Sequence, residues 1–312
     1  MTLAAGRVAV LAAVLVACGA CGRGGKPAAP AVPTKPQTLA ERALGMLPDG
    51  AQIVIELDLA RLRANAVVGE VATRVFADVS IDNKLPGLPG TGQGSATGGQ
   101  GSPLAHADLV VMASYGVGTD NAVTITLLAT KDEVSGAARL APDLVVLGPD
   151  EWVRQVEARA AIATRTPLHA SEELMRLRDH AMPDQAPGAV LRVTALLSFD
   201  ARVAMAREIG IKLAPARLSI WADVVDDVAM IIDADAADPG DKTSKDTFER
   251  MRAGIHGLLG EAASEPALRA LGVSSALTDA RFVEQKTWLR AIIAIGPRQL
   301  ARVVERAKAL TN

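Results

Sequence analysis

Short alternating runs and longer helical stripes follow one another along residues 49–312. Residues 51–57 (AQIVIEL) alternate apolar and polar positions, which predicts a half-buried strand. Residues 59–77 carry Leu62, Val67, Val71 and Val75 roughly on one face, which predicts a helix. Two further strands, 108–114 and 122–130, flank a polar turn at 116–121 and read as a hairpin. A short buried strand at 144–147 ends at Gly148-Pro149, and Pro149 stands where the first turn of a helix tolerates proline. Trp152, Val153 and Val156 line that helix. Ser171 is placed to cap another, with Glu172 and Glu173 favourable at its positive end.

The same order then recurs. A strand at 190–195 leads into a helix at about 199–209, a hairpin at 216–223 and 227–233, and a last strand and helix from 287 onward. A displacement of 148 positions aligns Gly148, Pro149, Arg154, Val156 and Glu157 with Gly296, Pro297, Arg302, Val304 and Glu305, and Trp152 and Ile162 with Leu300 and Leu310. Repeats diverge in their loops. The first half carries the Gly-rich loop 86–103. The second carries a helical insertion at 236–287, with Thr243 as its expected cap and Phe248, Met251, Ile255, Leu258 and Leu259 as its stripe before Gly260. The expected fold is therefore α+β: two tandem α/β repeats, 49–186 and 187–312, each an antiparallel or mixed sheet with helices on one face. The split-βαβ, ferredoxin-like arrangement is the candidate core. A short lead-in helix occupies 38–48.

Composition narrows the functional classes. The 312 residues carry 33 Lys and Arg against 35 Asp and Glu, so no basic excess exists to attract a phosphate backbone, and nucleic acid is not an expected partner. Three Trp, one Tyr and four Phe are too few for an aromatic sugar or base platform.

Residues 1–17 differ from all of this. Arg7 precedes the apolar run 8–17, which is too short for the ~20 residues that span a bilayer and fits a secretory signal. It ends in Leu15-Val16-Ala17-Cys18. This resembles the lipobox of bacterial lipoproteins. The resemblance covers about the first 20 residues and implies cleavage before Cys18, acylation of Cys18, and a place in the cell envelope outside the cytoplasm. Three acyl chains are usual in that family, and two already anchor stably. Gly19 after the cysteine implies the outer membrane, facing the periplasm. Cys21 lacks the leucine and fits less well. The C-x-x-C of Cys18 and Cys21 is not read as a redox pair, because no βαβ pattern surrounds it. Residues 18–37 then form a tether in which Pro27, Pro30, Pro33 and Pro36 recur every third position. Polyproline II at ~3.1 Å per residue would give it a reach of roughly 60 Å.

Signatures of catalysis are sparse. The run 87–95 (GLPGTGQGS) lacks the lysine of a phosphate loop. His106, His169, His180 and His256 stand in no metal spacing, and no G-x-S-x-G is present. Ser114, Ser198 and Ser219 read as strand or cap serines. The acidic run Asp223, Asp226, Asp227, Asp233, Asp235, Asp238 and Asp241 is the strongest polar feature. Asp233, Asp235 and Asp238 are the calcium candidates, but the spacing departs from an EF-hand and Ser244 stands where its bidentate glutamate belongs. A solvated loop is the preferred reading. No catalytic residue and no cofactor is assigned.

These features describe a lipid-anchored envelope protein that acts as a non-catalytic binding or structural module. Its expected occupant is another envelope protein or a small apolar ligand, held where the two halves meet. The alternative is an envelope hydrolase with its site in that cleft and loop 86–103 as its lid.

Overall fold

The computed structural model describes residues 37–78, 102–163, 168–186, 188–211, 214–235 and 245–311. The expected signal 1–17, the expected tether before Gln37, residues 86–101 of the expected lid 86–103, Asp238, Asp241 and Thr243 lie outside them.

The strands are β1 (Ile53–Asp58), β2 (Leu109–Tyr115), β3 (Val123–Ala129), β4 (Ala138–Ala141), β5 (Leu144–Leu147), β6 (Leu191–Leu196), β7 (Arg217–Val224), β8 (Val228–Asp235), β9 (Arg281–Gln285) and β10 (Trp288–Ile295). The helices are α1 (Leu39–Met46), α2 (Leu59–Ala64), α3 (Gly69–Asp78), α4 (Asp150–Ala163), α5 (Glu172–Arg178), α6 (Phe199–Ile209), α7 (Lys245–Ser264), α8 (Pro266–Leu271), α9 (Ser274–Thr278) and α10 (Pro297–Thr311). The fold is α+β, built on one antiparallel sheet ordered β4-β5-β3-β2-β1-β6-β7-β8-β10-β9. Outward from β1 run β2, β3, β5 and β4. Outward from β6 run β7, β8, β10 and β9. The seam between these halves is the β1–β6 ladder, with Ile55 opposite Val193.

This order departs from the split-βαβ expectation. That arrangement inserts a strand between β1 and the next strand, whereas here β1, β2 and β3 are direct neighbours, as are β6, β7 and β8. The cause lies in the connections: short hairpins join β2 to β3 and β7 to β8, and the longer helical connections β1–β2 and β6–β7 also return antiparallel, directly beside the strand they leave. Helices also occupy both faces rather than one. On the first face, α2, α3, α7, α8, α9 and α10 cover apolar positions such as Leu57, Leu191, Ala222 and Ile293. On the second, α1, α4 and α5 cover the first half through Leu44, Val156 and Leu174, packed on Val54, Val111 and Leu127.

The helices after the two Gly-Pro steps therefore lie on opposite faces. Helix α4 buries Val156 and Ala160 on the second face, and α10 buries Leu300, Val303 and Val304 on the first. Ile162, aligned with the apolar stripe of α10, is 54% exposed. Among the described residues the second face of the far half has no helix equivalent to α4. Helix α5 reaches over β6 and β7, and the strap 179–186 with Ala189 lays Ala181 and Met182 near Trp221 and Ile231.

The predicted helix 59–77 is two helices. Asn65 ends α2, and its Oδ1 accepts from the amides of Val67 and Val68 to start α3. A Cβ on Gly69 would lie 2.3 Å from the Arg63 carbonyl oxygen, so only glycine allows the chain to turn back this tightly. Helix α7 runs through Gly260 to Ser264.

Candidate binding site

The seam places charges where its neighbours are apolar. In β1 and β6 alternate residues share a face. Ile55, Leu57, Leu191 and Val193 face the first layer of helices, which leaves Glu56 and Arg192 side by side on the second face, in direct register. Paired across a ladder, opposite charges would be expected to bond. A third residue prevents it. Helix α5, capped by the Ser171 hydroxyl, ends in Arg178, and this guanidinium takes both oxygens of Glu56. Nε donates to Oε1 at 2.6 Å and Nη2 to Oε2 at 2.8 Å, with both side chains more than nine-tenths buried. Arg178 also donates to Asp179 Oδ1 at 3.2 Å. Burial disfavours its charge, but the bonds to Glu56 and the charges of Glu56 and Asp179 outweigh that, so its pKa lies above the ordinary arginine value.

Arg192 is left with weaker company. Its Nη2 points at the Met182 sulfur at 2.9 Å and lies 3.7 Å from Asp179, and its buried Nε has no acceptor among the described residues. Burial, then the charge of Arg178, holds its pKa below the ordinary arginine value.

These residues line a pocket of about 410 Å³ at the seam. Its walls come from α1 (Glu41), β1 (Glu56, Asp58), β6 (Arg192) and the strap (Asp179, Met182). Asp58 caps α2, one oxygen accepting from the Arg61 amide at 2.7 Å. The Arg61 guanidinium turns away to Asp223, which it holds at 2.7 and 2.6 Å. Burial, only partly offset by the bond and charge of Arg61, pushes the Asp58 pKa up.

A second polar cluster lies on the same face of the far half. Asp233 is fully buried and accepts two bonds from Arg290, at 2.8 and 2.6 Å, and one contact from His180 Nδ1 at 2.9 Å. His180 stacks on Trp288 with ring centroids 3.9 Å apart. Asp235, also fully buried, bonds Arg217 and Thr287. The structure thus corrects the solvated reading of the acidic run at Asp223, Asp233 and Asp235, which are buried partners of arginines distant in sequence. Asp233 and Asp235 share a face as expected, but their oxygens already serve as hydrogen-bond acceptors for arginine. Among the described residues no group of three acids, histidines or cysteines could hold a metal ion.

The His180–Asp233 contact resembles two members of a catalytic triad, but Asp233 is also held by Arg290, and the serine nearest in the ladder is committed elsewhere. Ser219, opposite Asp233 in the β7–β8 ladder, is fully buried and accepts from the Ala181 amide. His106, His169 and His256 are exposed and lie apart from the pocket. Cys18 lies outside the described residues. No helix among those described is long and apolar enough to cross a membrane.

No family model and no curated protein matches this chain. Two crystal forms of TP0453 are similar in structure. Form III gives a TM-score of 0.44 at 8% identity over 84% of this chain and 96% of that chain. Form I gives 0.38 at 9% identity over 85% and 96%.

Proposed function

We propose that this is a lipoprotein of the cell envelope, acylated at Cys18 and held on the tether 18–37 at the outer membrane, whose body binds a ligand at the seam without transforming it. The observation that carries the reading is Arg192, a largely buried side chain with a buried Nε, which lines the seam pocket while Arg178 occupies its cross-strand carboxylate. A buried charged donor left without an acceptor is costly, and a ligand that supplies one removes that cost. The charged lining also moves the expected occupant away from a small apolar molecule.

The seam is where two copies of an ancestral unit would meet, and we propose that duplication built it. The common strand order of the halves and the pairing of β1 with β6 support this. The opposite placement of α4 and α10 requires that the final helix changed faces in one copy.

The hydrolase alternative has less to rest on. Among the described residues no Ser, Cys or His lines the pocket. Glu56 and Asp179 bond Arg178, Glu41 closes a capping box on Thr38, and Asp58 caps α2. The test is a mass-spectrometric search for small molecules that co-purify with the full lipidated chain in detergent, repeated with Arg192→Gln. A molecule retained by the wild type and lost by the variant, with no turnover, supports a binding module. Steady turnover of a bound ester or peptide would overturn it.

A further inference from the structure

The charge balance of the seam pocket, taken as a binding site, restricts the chemistry of what fills it. Four carboxylates line it, Glu41, Glu56, Asp58 and Asp179, against the two guanidiniums of Arg178 and Arg192. Glu56 and Arg178 neutralise one another through two short bonds. That leaves Arg192 beside three acids of unequal commitment. Asp179 bonds Arg178, and Glu41 accepts from the Thr38 amide. Among the described residues Asp58 accepts through Oδ1 alone, from the Arg61 amide, and Arg61 gives its own charge to Asp223.

A purely anionic ligand would satisfy Arg192 and meet three carboxylates. A purely cationic one would suit the acids and leave the Nε of Arg192 without an acceptor. An apolar one would cover Arg192 and the acids while supplying neither an acceptor nor a donor, the costliest outcome. One ligand type satisfies both ends. We propose that the pocket binds a compact zwitterion, a free amino acid or short peptide, with its carboxylate on Arg192 and its ammonium on Asp58. The reach fits. Asp58 lies two residues beyond Glu56 on the same strand face, so it is a diagonal neighbour of Arg192 across the β1–β6 ladder. Such neighbours stand ~7–8 Å apart, a gap that one or two residues' length of zwitterion fills once the arginine side chain is extended.

This inference rests on the pocket being a binding site, and the test separates the two. The full lipidated chain in detergent is titrated calorimetrically with amino acids and dipeptides, each beside its N-acetyl and its amide form. Inorganic phosphate, a fatty acid and spermidine serve as single-character probes. The expected result is that at least one zwitterion binds and that masking either of its charges weakens it by about tenfold or more, the loss of one charge-assisted bond. Arg192→Gln should abolish the difference between acid and amide forms, and Asp58→Asn that between free and acetylated amines. The masked ligands test the wild type directly, so the result stands even if a variant folds poorly. Phosphate, fatty acid or spermidine binding in an Arg192-dependent manner, with no zwitterion doing so, would reject the zwitterion and keep the site. No binding by any probe, or binding indifferent to both variants, would reject both.

Discussion

Glu56 and Arg192 face each other across the central ladder, yet both oxygens of Glu56 belong to Arg178. Two guanidiniums thus compete for one buried carboxylate, and the one delivered by α5 holds it. Arg192 stands ready to take its place. Removing one partner of a buried pair ordinarily costs about 3–5 kcal/mol, because the other charge stays buried alone. Arg178→Met should cost clearly less than this, since Arg192 can turn to Glu56. Arg192→Met should cost little, as the guanidinium's approach to Asp179 is long, at 3.7 Å. The double variant should lose the full amount, more than the two single losses together. Urea unfolding of the four proteins forms the cycle that measures this coupling. Additive losses would show that Arg192 cannot reach Glu56.

The pH dependence of the seam follows from Asp58. Burial holds its pKa above the value in the unfolded chain. Its ionised form is therefore a cost to the folded state. The cost is absent at acid pH, where both states carry the proton, and appears as the pH rises through the folded pKa. Asp58→Asn keeps a good N-cap and removes the charge. The variant should melt higher than the wild type at neutral pH, and the difference should fade toward acid pH. Asp58→Ala loses the cap and should be less stable by about 1 kcal/mol. Thermal melts across the acid range check both.

Much of the fold was legible in the chain, because periodicity reports which side of an element is wet. The hairpins β2–β3 and β7–β8, the strand β5, the Ser171 cap and the start of α10 fall where the pattern places them. The break at Asn65 was hidden, since this one residue ends α2 through its backbone amide and starts α3 through its side chain without disturbing the apolar spacing. The face of each helix was hidden too. Val156 and Val304 occupy matching sequence positions, and only tertiary packing sends them to opposite sides of the sheet. The site was the least visible part. Glu56 and Arg192 sit at the polar positions of alternating strands, which read as solvent-facing until α5 covers them. The one available signal was a charge of each sign, in two strands of the same place in the order. The partners of Asp223, Asp233 and Asp235 lie far off in sequence or across a ladder, so these acids read as solvated.

Calcium provides the check on the far cluster. A site filled at 100 times its Kd would raise stability by about 2.7 kcal/mol. With the oxygens of Asp233 bonded by Arg290, millimolar calcium should leave the melting temperature unchanged. Asp233→Ala should destabilise to the same extent with or without calcium, because it strands a guanidinium rather than empties a metal site. A calcium-induced rise that Asp233→Ala removes would reverse this assignment.

The proposed lipid anchor at Cys18 would decide where any ligand is met. The apolar run 8–17 ends at Leu15-Val16-Ala17-Cys18, and the tether separates this cysteine from the body that begins near Thr38, whose side chain caps α1. If Cys18 is acylated, the mature chain begins at that residue and carries its mass plus the lipid. Expression of the precursor in a bacterial host, followed by mass analysis of the N-terminal peptide, should show an acylated cysteine there. Cys18→Ala should leave the signal uncleaved by the lipoprotein peptidase, while Cys21→Ala should process normally. Both variants should melt like the wild type, since no residue of the sheet or its helices is touched. A free amino terminus at any other residue would remove the anchor, and with it the envelope surface as the place where the seam pocket meets its ligand.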